Sequence, residues 1–508
     1  MAPEELAENL LSSHSGQSKA PAAKLPRLTD LTPEKVATDY VDVNKLLLAD
    51  PFTVLTSVVR FMAHDLFHHP VLRGYLKKLY FDQATVSSEP TMSGRNTLTV
   101  EHPFFLTKRI ARRPIIEFDD DLWLKLLKME REGFIKVRIL LPWVDELKDN
   151  GREFQDLQDT IYNNLLKFYI APFPKDCSEE AKNLIIQWNI MRGEVLRVLL
   201  SELAYPFLEQ LLRDHLLQTA ESFVLKQAAA KFKALLMKPP LRLVNEEDIS
   251  EKPHPPRIVA SVIESGAKNV SFISVSPFGE LKSSISLKNF GSSEGFQEPI
   301  ASDFEDFSHF FLKNKPEIVL ISARGVEAKS LKQFIRNFLD SQGDKSIEVL
   351  LIDPVIPSLF AKTRLAEEEL GSELGSIKEG VSLARLALNP IEEVLKLWSW
   401  RNQDNAIFYG EFHPLLGMVR LEGLRGVFEK TAVESVCAIG IDLSIDQTNK
   451  RSVERSIGCL EFLAGLGRRK GKEVREKILR EGGIRRRSDL LSRKIVGKKV
   501  CLYIRNFF

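Results

Sequence analysis

The sequence predicts a multidomain, mainly α-helical chain with one mixed α/β domain and a glycine-punctuated, basic C-terminal segment. Three observations predict it. From about Leu31 to Leu236 apolar residues recur at helical spacing, and Gly and Pro almost vanish after Ser178. The period then switches to two, and short strand-like runs give way to alternating helix and strand patterns within 257–372. Helical patterning returns from Ala361. It ends at "LAGLGRRKGKEV" and "LLSRKIVGKKV", where apolar runs break at glycine and basic residues follow at once.

In chain order, residues 1–30 begin "MAPEELAENLLSSHSGQSKAPAAK", with early acids and no apolar run, so they are no signal peptide and read as a disordered tail. A helical region is expected over 31–238. Thr32 as N-cap, Pro33 at the first helical position and Glu34 in the first turn open its first helix. "DPFTVLTSVVRFMAHDLF" is a second helix that stops before Pro70. "DDDLWLKLLKMEREGF" is a third, with acids at its N-terminus and Gly133 at its end. "FIKVRILLP" reads as a strand, and Ser178 to Lys233 as long packed helices. Five prolines in "MKPPLRLVNEEDISEKPHPP" mark a linker over 239–256. Beyond it, "RIVASVI", "VSFISVSP" and "LKSSISL" form a strand meander. A helix over Phe304 to Leu312, the strand "EIVLISA", a helix over Glu327 to Leu339 and the strand "VLLID" follow. This order describes an α/β domain of ribonuclease-H type over 257–372, with a helical connector over 373–460 and the basic segment over 461–508.

A chain of 508 residues exceeds one ordinary core, and two to four domains are expected. Hydrophobic content of 44% and charged content of 28% are those of a globular protein. The net charge of +2 hides an asymmetry. Residues 463–508 hold 15 Lys and Arg against 4 Asp and Glu, a local +11, so the remainder carries −9. Anion binding is therefore expected at the C-terminus. Cys177, Cys437, Cys459 and Cys501 lie far apart without metal-ligand spacing, which suits reduced thiols in a core. Nowhere do 18 apolar residues run together, so no membrane span is expected.

Catalytic signatures are sparse. In "HDLFHHP", His64 and His68 stand four apart on one helix face, but Asp65 replaces the glutamate that HExxH chemistry needs, and a third ligand is missing. The glycines of "GLGRRKG" (Gly465, Gly467, Gly471) follow a helical pattern and not a strand, which argues against a dinucleotide loop. Neither GxxxxGK[ST] nor GxSxG occurs. Two-metal nuclease chemistry needs converging carboxylates. The first strand of the α/β domain has only Glu264 just past its end, and Asp353 stands alone in "LLIDP". No catalytic residue, metal or cofactor is expected.

The basic segment supports a helix-hairpin-helix reading. A tight turn at Gly465 and Gly467 would aim the first N–H groups of the next helix at a phosphate, with Arg468, Arg469, Lys470 and Lys472 around it. A second copy places Gly497 before Lys498 and Lys499, and "EGGIRRRSDL" between them adds Arg485, Arg486 and Arg487. For one copy alone, a C-capping glycine and a solvated basic face explain the pattern as well. Two copies favour binding of nucleic-acid backbone, without sequence readout.

The order of "KLYFDQATVSSEPT", "FDDDLWLKLLKMEREGF", "IQWNIMRGEVLRVLL", "VSLARLALNPIEEV", "FHPL", "AIGIDLS", "LAGLGRRKGKEV" and "RRRSDLL…VGKKV" resembles the Tex family over about Leu31 to Phe508. The likeness is greatest to its eukaryotic branch, histone-chaperone elongation factors that accompany RNA polymerase II. The resemblance implies a helix-turn-helix-like region, a YqgF-type ribonuclease-H-like domain without nuclease residues, and a tandem helix-hairpin-helix with Gly465 and Gly467 on the first turn and Gly497 on the second. It implies a non-enzymatic nuclear factor acting in transcription elongation. Its expected partners are DNA or RNA, the polymerase II elongation complex and histones. The sequence departs from the eukaryotic pattern with Arg468 in place of a proline and Ser444 in place of an asparagine. The sequence given also stops at the second hairpin, without the OB-type domain, the phosphopeptide-binding domains or the long acidic N-terminal region, as expected of a truncated or divergent member or of an incomplete gene product.

Overall fold

The structure, a computed structural model, describes residues 31–41, 50–140, 160–173, 178–243, 254–264, 269–288, 301–344, 346–398, 406–441, 457–480, 484, 486 and 488–504. The tail expected over 1–30, Cys177, Ser444, Arg485, Arg487 and most of the proline-rich linker lie outside them. The chain divides into two compact units, Met1–Phe223 and Val224–Phe508.

In the first unit, α1 (Pro33–Thr38) starts where the Thr32 hydroxyl accepts the Lys35 N–H. Helix α2 (Pro51–His68) opens on a capping box in which Asp50 and Thr53 satisfy each other's backbone N–H. Pro70 lacks an N–H to continue that helix, and it begins α3 (Pro70–Gln83) instead. Strands β1 (Thr85–Pro90), β2 (Ile110–Pro114) and β3 (Ile135–Leu140) form an antiparallel sheet in the order β2-β1-β3. Between them lie α4 (Met92–Thr97) and α5 (Leu122–Arg131). The Asp120 carboxylate accepts the Leu122 N–H at the start of α5, and Gly133, at φ 76°, turns the chain out of it into β3. Helices α6 (Thr160–Tyr169) and α7 (Glu179–Val198) follow, and a π-helical turn, Leu199–Ala204, joins α7 to α8 (Tyr205–Leu236), which from Val224 onward belongs to the second unit.

The sequence predicts only β3 in this region, and strands β1 and β2 are additions to an otherwise helical expectation. Their patterns are short: β1 turns only Val86 and Ser88 fully inward, and "IARRP" has one large apolar residue. Pairing to β1 makes β2 a strand, and sequence period alone cannot report that.

The second unit is built on a five-stranded sheet. β4 (Ile258–Ile263), β5 (Val270–Val275) and β6 (Leu281–Leu287) run as an antiparallel meander. Helix α9 (Ala301–Asn314) leads to β7 (Ile318–Ser322), parallel to β4, and α10 (Glu327–Gln342) leads to β8 (Glu348–Ile352), parallel to β7. The order is β6-β5-β4-β7-β8, and every strand read from sequence in this stretch is present. All residues of β4, β5 and β7 are buried because both faces are covered. Val259, Phe272 and Val319 pack with Phe307 of α9 and Leu331 and Phe338 of α10. Ile258, Ala260 and Ile273 face Ile377, Val381 and Ala384 of α13 (Gly375–Leu388), which follows α11 (Val355–Ala361) and α12 (Arg364–Leu370). A Cβ on Gly380 would lie 2.4 Å from Ile273 Cδ1, so glycine lets α13 sit close on the sheet. Helices α14 (Pro390–Leu395) and α15 (Leu421–Ile439) carry the chain towards its basic segment. No helix among the described residues is long and apolar enough to cross a membrane.

Candidate nucleic-acid interface

The segment "CLEFLAGLGRRKGKEV" folds as two helical pieces about a tight turn. A 3-10 helix, Ile457–Phe462, ends where the Leu463 N–H bonds the Leu460 carbonyl (3.2 Å), and the Leu466 N–H then bonds the Leu463 carbonyl (3.0 Å). Gly465 (φ 91°) and Gly467 (φ 63°) occupy the left-handed region, which costs glycine nothing. Helix α16 (Gly467–Arg480) leaves this turn with Gly471, Val474 and Ile478 along its buried stripe. Leu460, Phe462, Leu463 and Leu466 are buried beneath the turn. The Ala464 N–H reaches Cys437 Sγ of α15 at 3.4 Å. An aromatic series anchors the hairpin further: Phe462 meets Trp398 edge-on (5.6 Å), Trp398 meets Phe408 (5.2 Å), and Phe428 of α15 stacks on Phe232 of α8 (4.5 Å).

Sequence patterning assigns Gly471 no role. A Cβ there would fall 2.7 Å from Glu461 Cα and 2.9 Å from the Leu460 carbonyl oxygen, so this glycine permits backbone-to-backbone approach of the two helical pieces. Its position four residues into the helix from Gly467, in line with Val474 and Ile478, is the signal that could have found it.

The second turn is built differently. Helix α17 (Asp489–Ser492) ends at a turn in which the N–H groups of Ile495 and Val496 both reach the Leu490 carbonyl, at 3.1 and 3.2 Å. Its left-handed residue is Lys494 (φ 52°). Gly497 stands three residues later, at the entrance to α18 (Lys498–Ile504), where its carbonyl accepts the Cys501 N–H. Exposed Lys498 and Lys499 form the first turn of α18, and the Arg486 N–H bonds Asp489 Oδ2 at 3.1 Å.

The helical period of α16 divides its cations. Arg468, Arg469, Lys472 and Arg475 line a cavity of ≈ 2210 Å³, and Glu368, Glu369 and Glu373 are among its other lining residues. Lys470 and Lys477 are exposed and are not among its lining residues. Arg469 and Lys472 each lie 3.9 Å from a glutamate one turn on, Glu473 and Glu476, in solvent-exposed pairs that hold them weakly. Also in the cavity lining, Arg385 binds the Gly279 carbonyl (2.8 Å) and Glu369 (2.6 Å), while Lys396 pairs with buried Glu393 (3.0 Å) and lies 3.8 Å above the Phe360 ring. Burial pulls the Lys396 ammonium below the ordinary lysine range, although Glu393 and Glu369 oppose the shift. The Cys459 thiol, on the cavity wall, is pushed up by burial and by Glu392, so it is an inert core thiol.

At the strand ends of the five-stranded sheet, Glu379 of α13 is held by Arg324 (3.1 Å) and by the Ser322 hydroxyl (3.1 Å). Ser261 stands inside β4 and donates to the Leu320 carbonyl. Glu264 accepts from Ser376 and Asn269, and Asp353 accepts the Val355 N–H at the start of α11. Each carboxylate thus has a structural partner. The His68 ring nitrogen lies 2.7 Å from the His64 carbonyl within α2. Among the described residues, no group of three or more His, Cys, Asp or Glu is arranged to hold a metal ion.

A family model described as a helix-hairpin-helix motif matches residues 406–508, starting well upstream of the two turns. The Transcription elongation factor SPT6 of Drosophila melanogaster is 23% identical over 500 residues, 96% of this chain and 26% of that protein. The Transcription elongation factor spt6 of Schizosaccharomyces pombe is 26% identical over 486 residues, 94% of this chain and 32% of that protein. The SPT6 homolog of Arabidopsis thaliana is 23% identical over 488 residues, 92% of this chain and 27% of that protein. The chain spans about a quarter to a third of the length of the curated relatives it matches. Along nearly its whole length it is similar to the SPT6 transcription elongation factors, the relationship that the order of its motifs implies.

Proposed function

We propose that the chain is a non-enzymatic core of a transcription elongation factor, acting in the nucleus with the RNA polymerase II elongation complex and histones. In this reading its C-terminal hairpins hold DNA or RNA by the backbone without reading sequence. The observation that carries it is similarity to SPT6 elongation factors over more than nine-tenths of the chain, together with the helix-hairpin-helix match across the basic segment. The strand order β6-β5-β4-β7-β8, with three antiparallel strands followed by two parallel ones, supports a ribonuclease-H-like, YqgF-type domain. Ser261 within β4, and Ser322 with the Arg324–Glu379 pair at the strand ends, support a binding role over hydrolysis, since a carboxylate neutralised by a guanidinium is a poor metal ligand.

Fluorescence anisotropy of the full chain with duplex and single-stranded DNA and with RNA, over a salt series, tests this reading. Binding that falls steeply and linearly on a log–log plot, with similar affinity for unrelated sequences, is expected. Affinity independent of salt would overturn it. Cleavage of branched or single-stranded DNA with magnesium or manganese, abolished by Asp353→Ala, would replace it with a nuclease. Binding of histones without nucleic acid would replace it with a protein scaffold.

A further inference from the structure

We infer that the nucleic-acid backbone is gripped by an outer lysine ridge joining the two hairpins, and not by the arginine-rich face of α16. The inference rests on the backbone-binding reading above and names the residues that perform it. Lys470 and Lys477 are seven residues apart on α16, hence on one face and about 10 Å apart along the helix axis. Lys477 Nζ lies 3.5 Å from the Ile495 carbonyl oxygen, which brings the end of this face to the second turn. There Lys494 holds the left-handed position, exposed, and Lys498 and Lys499 follow on the first turn of α18. A lysine ammonium with three donors can keep one near a carbonyl and offer the others to phosphate oxygens.

The opposite face of α16 is in a different electrostatic setting. Arg468, Arg469, Lys472 and Arg475 line the cavity together with Glu368, Glu369 and Glu373, and the helix's own Glu473 and Glu476 line the same cavity. The whole lining balances eight carboxylates against eight Lys and Arg side chains, Lys362, Arg364, Arg385 and Lys396 among them, so it offers a phosphate chain no net positive field. Glu476 of α16 lies with the arginines; Glu473, three residues after Lys470 and four before Lys477, borders the ridge, which its lysines still leave net positive.

Anisotropy with a short duplex DNA across roughly 50–200 mM salt separates the two faces. Three full-length variants are compared with the intact chain. The ridge variant carries Lys470→Gln, Lys477→Gln and Lys494→Gln. A matched cavity variant carries Lys362→Gln, Arg364→Gln and Arg475→Gln. The third carries Arg468→Gln and Lys472→Gln. The ridge variant is expected to lower the log–log salt slope by about 2.7, at ~0.9 for each phosphate no longer neutralised, while the cavity variant keeps the intact slope. Replacing the same three ridge lysines with arginine restores the slope, which a merely misfolded hairpin would not do. The inference is overturned if the ridge and cavity variants lose slope equally, or if Arg468→Gln with Lys472→Gln removes it and the ridge variant does not. Either of those results leaves backbone binding standing. An intact chain without salt-dependent binding would overturn both.

Discussion

Three glycines of the hairpin segment should respond to alanine in an order that sequence alone would not assign. At Gly471 the added Cβ would sit 2.7 Å from Glu461 Cα, 2.9 Å from the Leu460 carbonyl oxygen and 3.0 Å from Glu461 N. All three are backbone atoms, so the 3-10 helix must move bodily. Overpacking of this kind costs about 1–3 kcal/mol, and the better helix propensity of alanine returns about 1 kcal/mol. Because the contacts are to backbone that cannot rotate away, the upper part of that range, about 2–3 kcal/mol, applies, and a net loss of about 1–2 kcal/mol is expected, a factor of roughly 5–30 in local opening. At Gly467 the Cβ meets nothing, but φ is 63°, and the left-handed conformation costs an L-residue about 1–2 kcal/mol. At Gly497 the space is open and φ lies outside the left-handed region, so alanine there should stay within about 0.5 kcal/mol of the parent. Amide hydrogen exchange read by mass spectrometry, on peptides covering 457–480 and 488–504, reports these local openings without requiring two-state unfolding of the whole chain. If Gly471→Ala is as well protected as the parent, the close approach of the two helical pieces is refuted. If Gly497→Ala is the most damaging of the three, so is the account of the second turn.

Two further perturbations follow from buried and capping groups. Lys396→Met strands Glu393, whose side chain is 2% exposed, and should cost the second unit about 3–5 kcal/mol; adding Glu393→Gln should recover part of it in urea melts. Because burial lowers the Lys396 pKa, the stability that its neutral form gives is fully present above the ordinary value of 10.5 and is lost as pH falls through the lowered one; Lys396→Met should flatten that part of the stability–pH curve. Asp50→Ala removes half of the capping box of α2 and should cost about 1 kcal/mol in the first unit, read by exchange at Thr53 and Val54.

How much of the fold was legible depended on how long each periodic signal ran. The strands "RIVASVI" and "VSFISVSP" have several large apolar residues each, and the structure buries every position of β4 and β5. Proline and acid signals placed the starts of α1 and α5 because they act on the backbone within one turn. β1 and β2 escaped because their identity comes from a partner: Thr85 pairs with Pro114 across nearly thirty residues and with Leu140 across more than fifty. The π-helical turn at Leu199–Ala204 was equally hidden, since "LLSELA" carries no residue that sequence patterning distinguishes from α-helix.

For the candidate interface, sequence exposes composition and spacing but not facing. "GRRKGK" reads as one basic cluster, yet on a helix of 3.6 residues per turn Arg468 and Lys472 share one side while Lys470 lies about 160° away from Lys472. The cavity lining follows that division, taking Arg468 and Lys472 and leaving Lys470 out. Similarly, "VGKKV" offers Gly497 as the obvious turn residue, although the chain turns at Lys494 because both Ile495 and Val496 must return their N–H groups to Leu490 while burying their side chains. The apolar residues that fix the second turn therefore also decide which lysine it presents. A basic residue in the left-handed position of a turn is where a hairpin would place a charge that must project from the surface instead of packing along a helix. The proposed ridge groups Lys494 with Lys477 and Lys498 on that ground, although nothing in the linear motif does.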